Sequence, residues 1–182
     1  MSKGPKQIVL GVTGSIAAYK SADLIRRLQE KSFDVKVIMT KEAEQFITPL
    51  TLASLSGHSV YGTLFDAQEN PWQMNHIQLA RQAAAIVIAP ATANIIGKLA
   101  SGIADDLLTC TVLAPRVPVL IAPAMNDEML DNPVVQENFR KLKNFGFKFV
   151  RTVKGKLACG IFGDGHLAEI EDIIKEVVKL VH

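Results

Sequence analysis

The chain has 182 residues, 48% of them hydrophobic and 21% charged, which suits one domain with a sizeable core. A formal net charge of +2, with no basic run and no aromatic-interleaved stripe, argues against nucleic acid as a partner. Cys110 and Cys159 are far apart and outside any CxxC pair, so they supply neither a disulfide framework nor a metal site and fit a reducing compartment.

In chain order, Met1 to Gln7 is short and polar with no apolar run behind it, so no secretory leader is expected. Gln7 to Thr13 reads as a buried strand. A helix from about Ile16 to Glu30 follows, with Leu24, Ile25 and Leu28 on one face. Asp34 to Thr40 is a second strand, followed by short helices around Ala43 to Ile47 and Leu50 to Leu55 and an irregular stretch from Gly57 to Asn75. A short helix begins near His76 and leads into a strand from Ala84 to Ala89. Helices from about Ala93 to Ala100 and Asp105 to Ala114 come next. Val117 to Ala122 and Phe147 to Val150 are further strands, and the last helix runs from about Glu169 to Val181. Alternation of strands and helices predicts an α/β fold with a parallel sheet in one domain, residues 1–182. The most apolar stretch, Ala83 to Leu99, is broken by Pro90, Thr92, Asn94 and Lys98 and does not read as a membrane span. A cytoplasmic protein is expected.

Open α/β sheets bind ligands beyond the carboxyl ends of their strands. The first such loop, Gly11-Val12-Thr13-Gly14-Ser15-Ile16-Ala17, combines a tight-turn glycine with a serine at a helix start. Ser15 has two readings, a helix cap and a contact to an anion. The loop is not GxGxxG, and the second strand ends in Thr40-Lys41 rather than in an acidic residue. Both departures favour a phosphorylated mononucleotide over a dinucleotide. In Ala89-Pro90-Ala91-Thr92-Ala93-Asn94, small residues admit a flat ring, and Thr92 and Asn94 either bond its edge or cap the next helix. Asp105-Asp106 reads more readily as a cap than as an acid/base pair.

Three segments carry reactive groups. His76 opens a helix after a loop, with a structural role and a role as base or positive partner both open. Met125 and Asn126 follow an apolar strand. Asn126 can bond a substrate carboxylate without adding charge, but from composition alone it reads more readily as the cap of a short helix with Met125 and Met129 as core filler. The glycine-rich segment Gly155 to Gly165 predicts a flap, and Cys159 at its centre reads as a reactive thiol. Cys110, in an apolar helix, reads as a core residue.

Taken together and in this order, the Gly14–Lys20 loop, His76, Pro90 to Asn94, Gly102 to Leu107, Pro123 to Met129 and Ala158-Cys159-Gly160 resemble the homo-oligomeric flavin-containing cysteine decarboxylase family from about Ile8 to Ile173. The resemblance implies a single-domain, Rossmann-like three-layer fold. It further implies FMN held near Gly14, Ser15, Ile16, Thr40, Lys41, Thr92, Ala93, Asn94 and Ala124, with no metal. His76 matches the family's essential histidine, and Asn126, with Met125 beside it, its carboxylate-binding position. Cys159 matches the cysteine that marks the branch acting on 4'-phosphopantothenoyl-cysteine on the route to coenzyme A. Leu130 stands where the family often has an aromatic residue.

In that branch the substrate thiol is oxidised to a thioaldehyde and CO2 leaves to give an enethiol. Reduction by the reduced flavin follows, with Cys159 as proton donor, giving 4'-phosphopantetheine. Three alternatives share the fold. A peptidyl-cysteine decarboxylase has no need of Cys159, and a flavin prenyltransferase does not match at His76 and Asn126. A phosphatase-regulatory flavoprotein would carry an acidic tail. The resemblance also implies a homo-trimer with the flavin at a subunit interface, or a homo-dodecamer built from it, and a chain without the ligase domain fused in many bacteria. Lys154 and Lys156, beside the flap, are candidates for the substrate phosphate or solvated surface charges.

Overall fold

In the computed structural model, residues 4–64, 75–114, 117–156, 160 and 162–181 are described. Five parallel strands form the sheet: β1 (Gln7–Val12), β2 (Asp34–Met39), β3 (Ala83–Ala91), β4 (Val119–Pro123) and β5 (Lys148–Phe149), in the order β2-β1-β3-β4-β5. Their near-continuous apolar sequences follow from burial on both faces. The period-two alternation divides them: Ile8, Leu10, Val12, Val35, Val37, Ala85, Val87 and Leu120 belong to one core, and Val9, Ile38, Ile86, Ile88 and Ile121 to the other.

The first core is covered by α1 (Ser21–Glu30), α2 (Pro49–Ser56) and α8 (Ile170–Val181) through Leu24, Ile25, Leu28, Leu52, Ile173 and Val177. The second is covered by α3 (Asn75–Gln82), α4 (Ala93–Ser101), α5 (Leu107–Leu113) and α7 (Pro133–Asn144) through Leu79, Ile95, Ile96, Leu99, Leu108, Val112, Phe139 and Leu142. The chain is therefore the three-layer α/β fold with a parallel sheet that the sequence predicts. Among the described residues no helix is long and apolar enough to cross a membrane.

Three segments differ from the sequence reading. The first helix is split: Ile16–Lys20 is a tight 3-10 turn, and the α-helix begins only at Ser21. Residues 127–144 form the short helix α6 (Asp127–Asp131), which is the one that Asn126 is expected to cap, and the longer α7, which the sequence reading does not assign. Asn126 and Asn132 cap them through their side-chain oxygens, and Pro133 occupies the first turn of α7. In its described part, the glycine-rich flap is an antiparallel pair, β6 (Val153–Lys156) and β7 (Phe162–His166). β7 packs on the turn before α6, where the Met125 N–H donates to the Gly165 carbonyl at 3.0 Å. Gly165 has φ +122°, and a Cβ there would stand 2.2 Å from the Met125 carbonyl oxygen, so this contact requires glycine.

Candidate active site

The sheet order reverses between β1 and β3, and loops leaving adjacent strands in opposite directions open a crevice at that point. A cavity of about 530 Å³ lies there. The β1 end supplies Thr13, Gly14, Ser15, Ile16 and Ala17, the β2 end Thr40 and Glu42, and the β3 end Thr92, Ala93, Asn94 and Ile95. The β4 end adds Ala124, Met125 and Asn126, α6 adds Met129, α5 contributes Asp106 at its cap, and Gly165, His166 and Leu167 close the wall.

Hydroxyls tie the strand ends together. Buried Thr13 donates through Oγ1 to the Pro90 carbonyl at 2.7 Å and accepts from the Thr92 N–H at 3.1 Å. Ser21 donates to the Ala89 carbonyl at 3.1 Å. Ser15 and Thr92 are caps, accepting from the Ala17 N–H at 3.3 Å and the Ile95 N–H at 3.4 Å. Both residues nonetheless line the cavity, so capping and facing a ligand are compatible roles at these positions. Gly14 allows close approach of two loops, since a Cβ there would stand 2.4 Å from the Glu42 Cβ.

Asn126 accepts from the Glu128 and Met129 N–H groups through Oδ1, at 3.0 and 3.3 Å. That commitment fixes the orientation of the amide. The oxygen belongs to the α6 cap, and the NH2 group is the end with donors for an anion.

Of the residues the sequence singled out, Gly14, Ser15, Ile16, Thr40, Thr92, Ala93, Asn94, Ala124, Met125 and Asn126 share this cavity. Lys41 instead lines an adjoining cavity of about 430 Å³, which shares Thr40, Glu42 and Asp106 with the first. His76 lies in the first turn of α3, and it is not among the described residues lining either cavity. Its Nδ1 is buried without a partner among the described residues. Cys159 lies outside the described residues, as does the side chain of Lys156. Cys110 is half-buried rather than in the core, and its thiol donates to the Ala104 carbonyl at 3.4 Å. Burial, with Asp106 and Asp105 adding to it, pushes that thiol above its ordinary value and disfavours the thiolate.

Asp105 and Asp106 hold Lys98 between them, at 2.9 and 3.0 Å. Asp106 also forms a capping box with Thr109, accepting from its N–H at 2.8 Å. Burial alone would raise the Asp106 carboxyl. Bonds from the Thr109 backbone, the Lys98 ammonium and the Thr109 hydroxyl outweigh it and hold the carboxyl below its ordinary value. Lys98 is pushed up, chiefly by the hydrogen bond to Asp105 and, against some burial, by Asp106.

Sequence reading missed Thr13, Glu42 and His166 as wall residues, and read Asp106 as a cap, which it is, without placing it on the wall. Thr13 and Glu42 adjoin loop residues already singled out, so adjacency was an available signal. His166 is brought to the wall by the pairing of β6 with β7, which no local motif announces.

The strand order, the crevice at its reversal and the hydroxyl- and amide-bearing loops are those of a ligand-binding α/β protein. The chain belongs to the Flavoprotein family, whose model matches residues 1–182, and within it to the flavin-containing cysteine decarboxylases that its motifs resemble. It is 49% identical over 174 residues to the coenzyme A biosynthesis bifunctional protein CoaBC of Bacillus subtilis (strain 168), covering 96% of this chain and 43% of that one. It is 45% identical over 174 residues to a probable phosphopantothenoylcysteine decarboxylase of Streptococcus mutans serotype c, covering 94% of this chain and 97% of the relative. The chain thus spans less than half of the bifunctional relative and nearly all of the other. Among solved structures, a PPC decarboxylase mutant complexed with pantothenoylaminoethenethiol superposes with a TM-score of 0.83 at 32% identity, covering 98% of both chains. The FMN-dependent cysteine decarboxylase SpaF gives 0.83 at 29% identity, covering 97% of this chain and 98% of that one.

Proposed function

We infer that this chain is an FMN-dependent decarboxylase of 4'-phosphopantothenoyl-cysteine, forming 4'-phosphopantetheine on the route to coenzyme A in the cytoplasm. The observation that carries this reading is a single cavity joining two features. One is a floor suited to a flavin phosphate and ring, and the other is an asparagine whose donors are fixed by its own cap.

The residues fit a flavin. Thr40 lines the cavity, and its Oγ1 is buried without a hydrogen-bond partner among the described residues, the kind of orphaned polar atom that a bound group would satisfy. Among the described lining residues there is no lysine or arginine. A phosphate would therefore be held by hydroxyls and backbone N–H groups at Gly14, Ser15 and Ile16. Ala17, Ala93 and Ala124 leave room for a flat ring. Thr92 and Asn94 would meet its polar edge, and Lys41 would approach from the neighbouring cavity. When bound, the flavin supplies an electron sink for a substrate whose acylated nitrogen cannot form an imine.

The chain's own residues then position the substrate. Asn126 donates to its carboxylate without a fixed charge, and this recognition avoids the ground-state stabilisation that a firm salt bridge would bring. Met125, in the same turn, packs beside it. Cys159 is assigned the proton that the saturated product gains. His76, whose ring lines neither cavity, is assigned to the site of a neighbouring copy in a homo-trimer or a dodecamer of such trimers.

The test is the visible spectrum of the purified chain, followed by identification of the flavin released on denaturation. The reading expects a yellow protein that releases FMN. A colourless protein that takes up no added FMN would overturn it.

A further inference from the structure

We propose that Asp164 is a positioning residue: its carboxyl group holds a bulge in β7, and the bulge fixes the turn that carries Met125 and Asn126 at the cavity. What that turn binds rests on the decarboxylase reading above. The hairpin register shows the bulge. Val153 pairs with His166 and Lys154 with Asp164, so Gly165 is an extra residue with no partner in β6. A bulged residue leaves the ladder, and when buried its N–H and carbonyl must find partners elsewhere. Gly165 is buried, and both groups are satisfied. Its N–H donates to Asp164 Oδ1 at 2.7 Å, and its carbonyl accepts the Met125 N–H at 3.0 Å. The same Oδ1 accepts from the Thr152 hydroxyl at 2.5 Å, so one side chain ties the two legs of the hairpin together at its base.

The turn depends on this support. Ala124 is tied to β3 through its N–H and the Ala91 carbonyl at 2.9 Å, and Asn126 is committed through Oδ1 to the cap of α6. Between them, the Met125 peptide is held by the Gly165 carbonyl. The approach is close at a second point, since a Cβ on Gly163 would stand 2.4 Å from Asp127 Oδ2. β7 thus runs along residues 125–127 through two glycines, and a shift of the bulge passes directly to the turn. Gly165, Met125 and Asn126 all line the main cavity. The oxygen of an asparagine side chain can accept the same two bonds as Asp164 Oδ1, whereas alanine leaves the buried Gly165 N–H orphaned.

The test follows amide hydrogen exchange at Met125, read by mass spectrometry on overlapping peptides, together with the kinetics of CO2 release. Flavin-loaded wild type is compared with Asp164→Ala, Asp164→Asn and Val35→Ala. Val35 is buried in the edge strand β2, which does not adjoin β4, so its variant measures what general destabilisation does alone. Asp164→Ala should speed Met125 exchange about tenfold or more and raise KM about tenfold with kcat changed less, because the turn is a binding element. Asp164→Asn should restore most of both. Val35→Ala should lower the thermal midpoint while leaving Met125 exchange and KM within about twofold of wild type. Unchanged exchange in Asp164→Ala, an equal rise in Val35→Ala, or no rescue by Asp164→Asn overturns the proposal, as does faster exchange with an unaltered KM. Exchange is read without substrate and decides the positioning by itself, so a wild type that releases no CO2 defeats only the assigned reaction.

Discussion

At Asn126 one side chain serves two requirements that can be separated by substitution. Its oxygen caps α6, and its NH2 end is the donor assigned to substrate. Aspartate is as good a cap as asparagine, but it replaces the donors with a negative charge. Asn126→Asp should therefore leave the thermal midpoint nearly unchanged while lowering kcat/KM at least about a hundredfold, the cost of exchanging a charged hydrogen bond for repulsion. Activity falling only in proportion to a lost midpoint would show that the cap is the whole role. Gly165 poses a different constraint. With φ at +122° and the Met125 carbonyl oxygen 2.2 Å from a would-be Cβ, Gly165→Ala must move β7 off the asparagine turn. A strained position of this kind costs about 1–3 kcal/mol, with roughly 2–4 °C of midpoint per kcal/mol in a chain of this size. Thermal melts should show a fall of several degrees, and substrate affinity should fall with it.

Among the elements, the sheet was legible because its strands are apolar on both faces and its helices carry a single stripe, a pattern that has few other solutions. The misses have physical causes. In α7 the run Glu137 to Asn144 is mostly polar, and only Phe139 and Leu142 are buried, so its stripe is thin. Both β6 and β7 carry glycines, which strands normally disfavour. They are paired here because β7 packs on the turn before α6. The tight turn before α1 was hidden because its apolar spacing runs on into the helix. Tertiary contact decided each case.

The α4–α5 corner carries a pH dependence whose sign follows from the shifts. Asp106 is held below its ordinary value when folded, so its contribution is present above the ordinary carboxylate range and is lost as pH falls through the lowered value. Lys98 is raised, so its contribution is present below its ordinary value of 10.5 and is lost as pH rises through the raised one. Asp106→Asn should flatten the acid limb of midpoint against pH relative to wild type. An unchanged acid limb would place that dependence elsewhere.

For the whole molecule, the strand order fixes where a ligand can sit before any site residue is considered. The loops that sequence alone marked, Gly14–Ile16, Thr92–Asn94 and Met125–Asn126, converge on that crevice from three different strands. What sequence could not show was the far wall. His166 arrives there only when the hairpin folds back, and Asp106 only through the cap of a helix on the opposite loop. His76 is not among the described residues lining either cavity, and its assignment to a neighbouring copy belongs to the proposed reading.

Incubation of the purified, flavin-loaded chain with 4'-phosphopantothenoyl-cysteine, with CO2 trapped and the product weighed by mass spectrometry, addresses the assigned reaction directly. The decarboxylase assignment predicts one CO2 per substrate consumed and a saturated thiol, 4'-phosphopantetheine, as the released product. Flavin-loaded protein that leaves the substrate intact would contradict it.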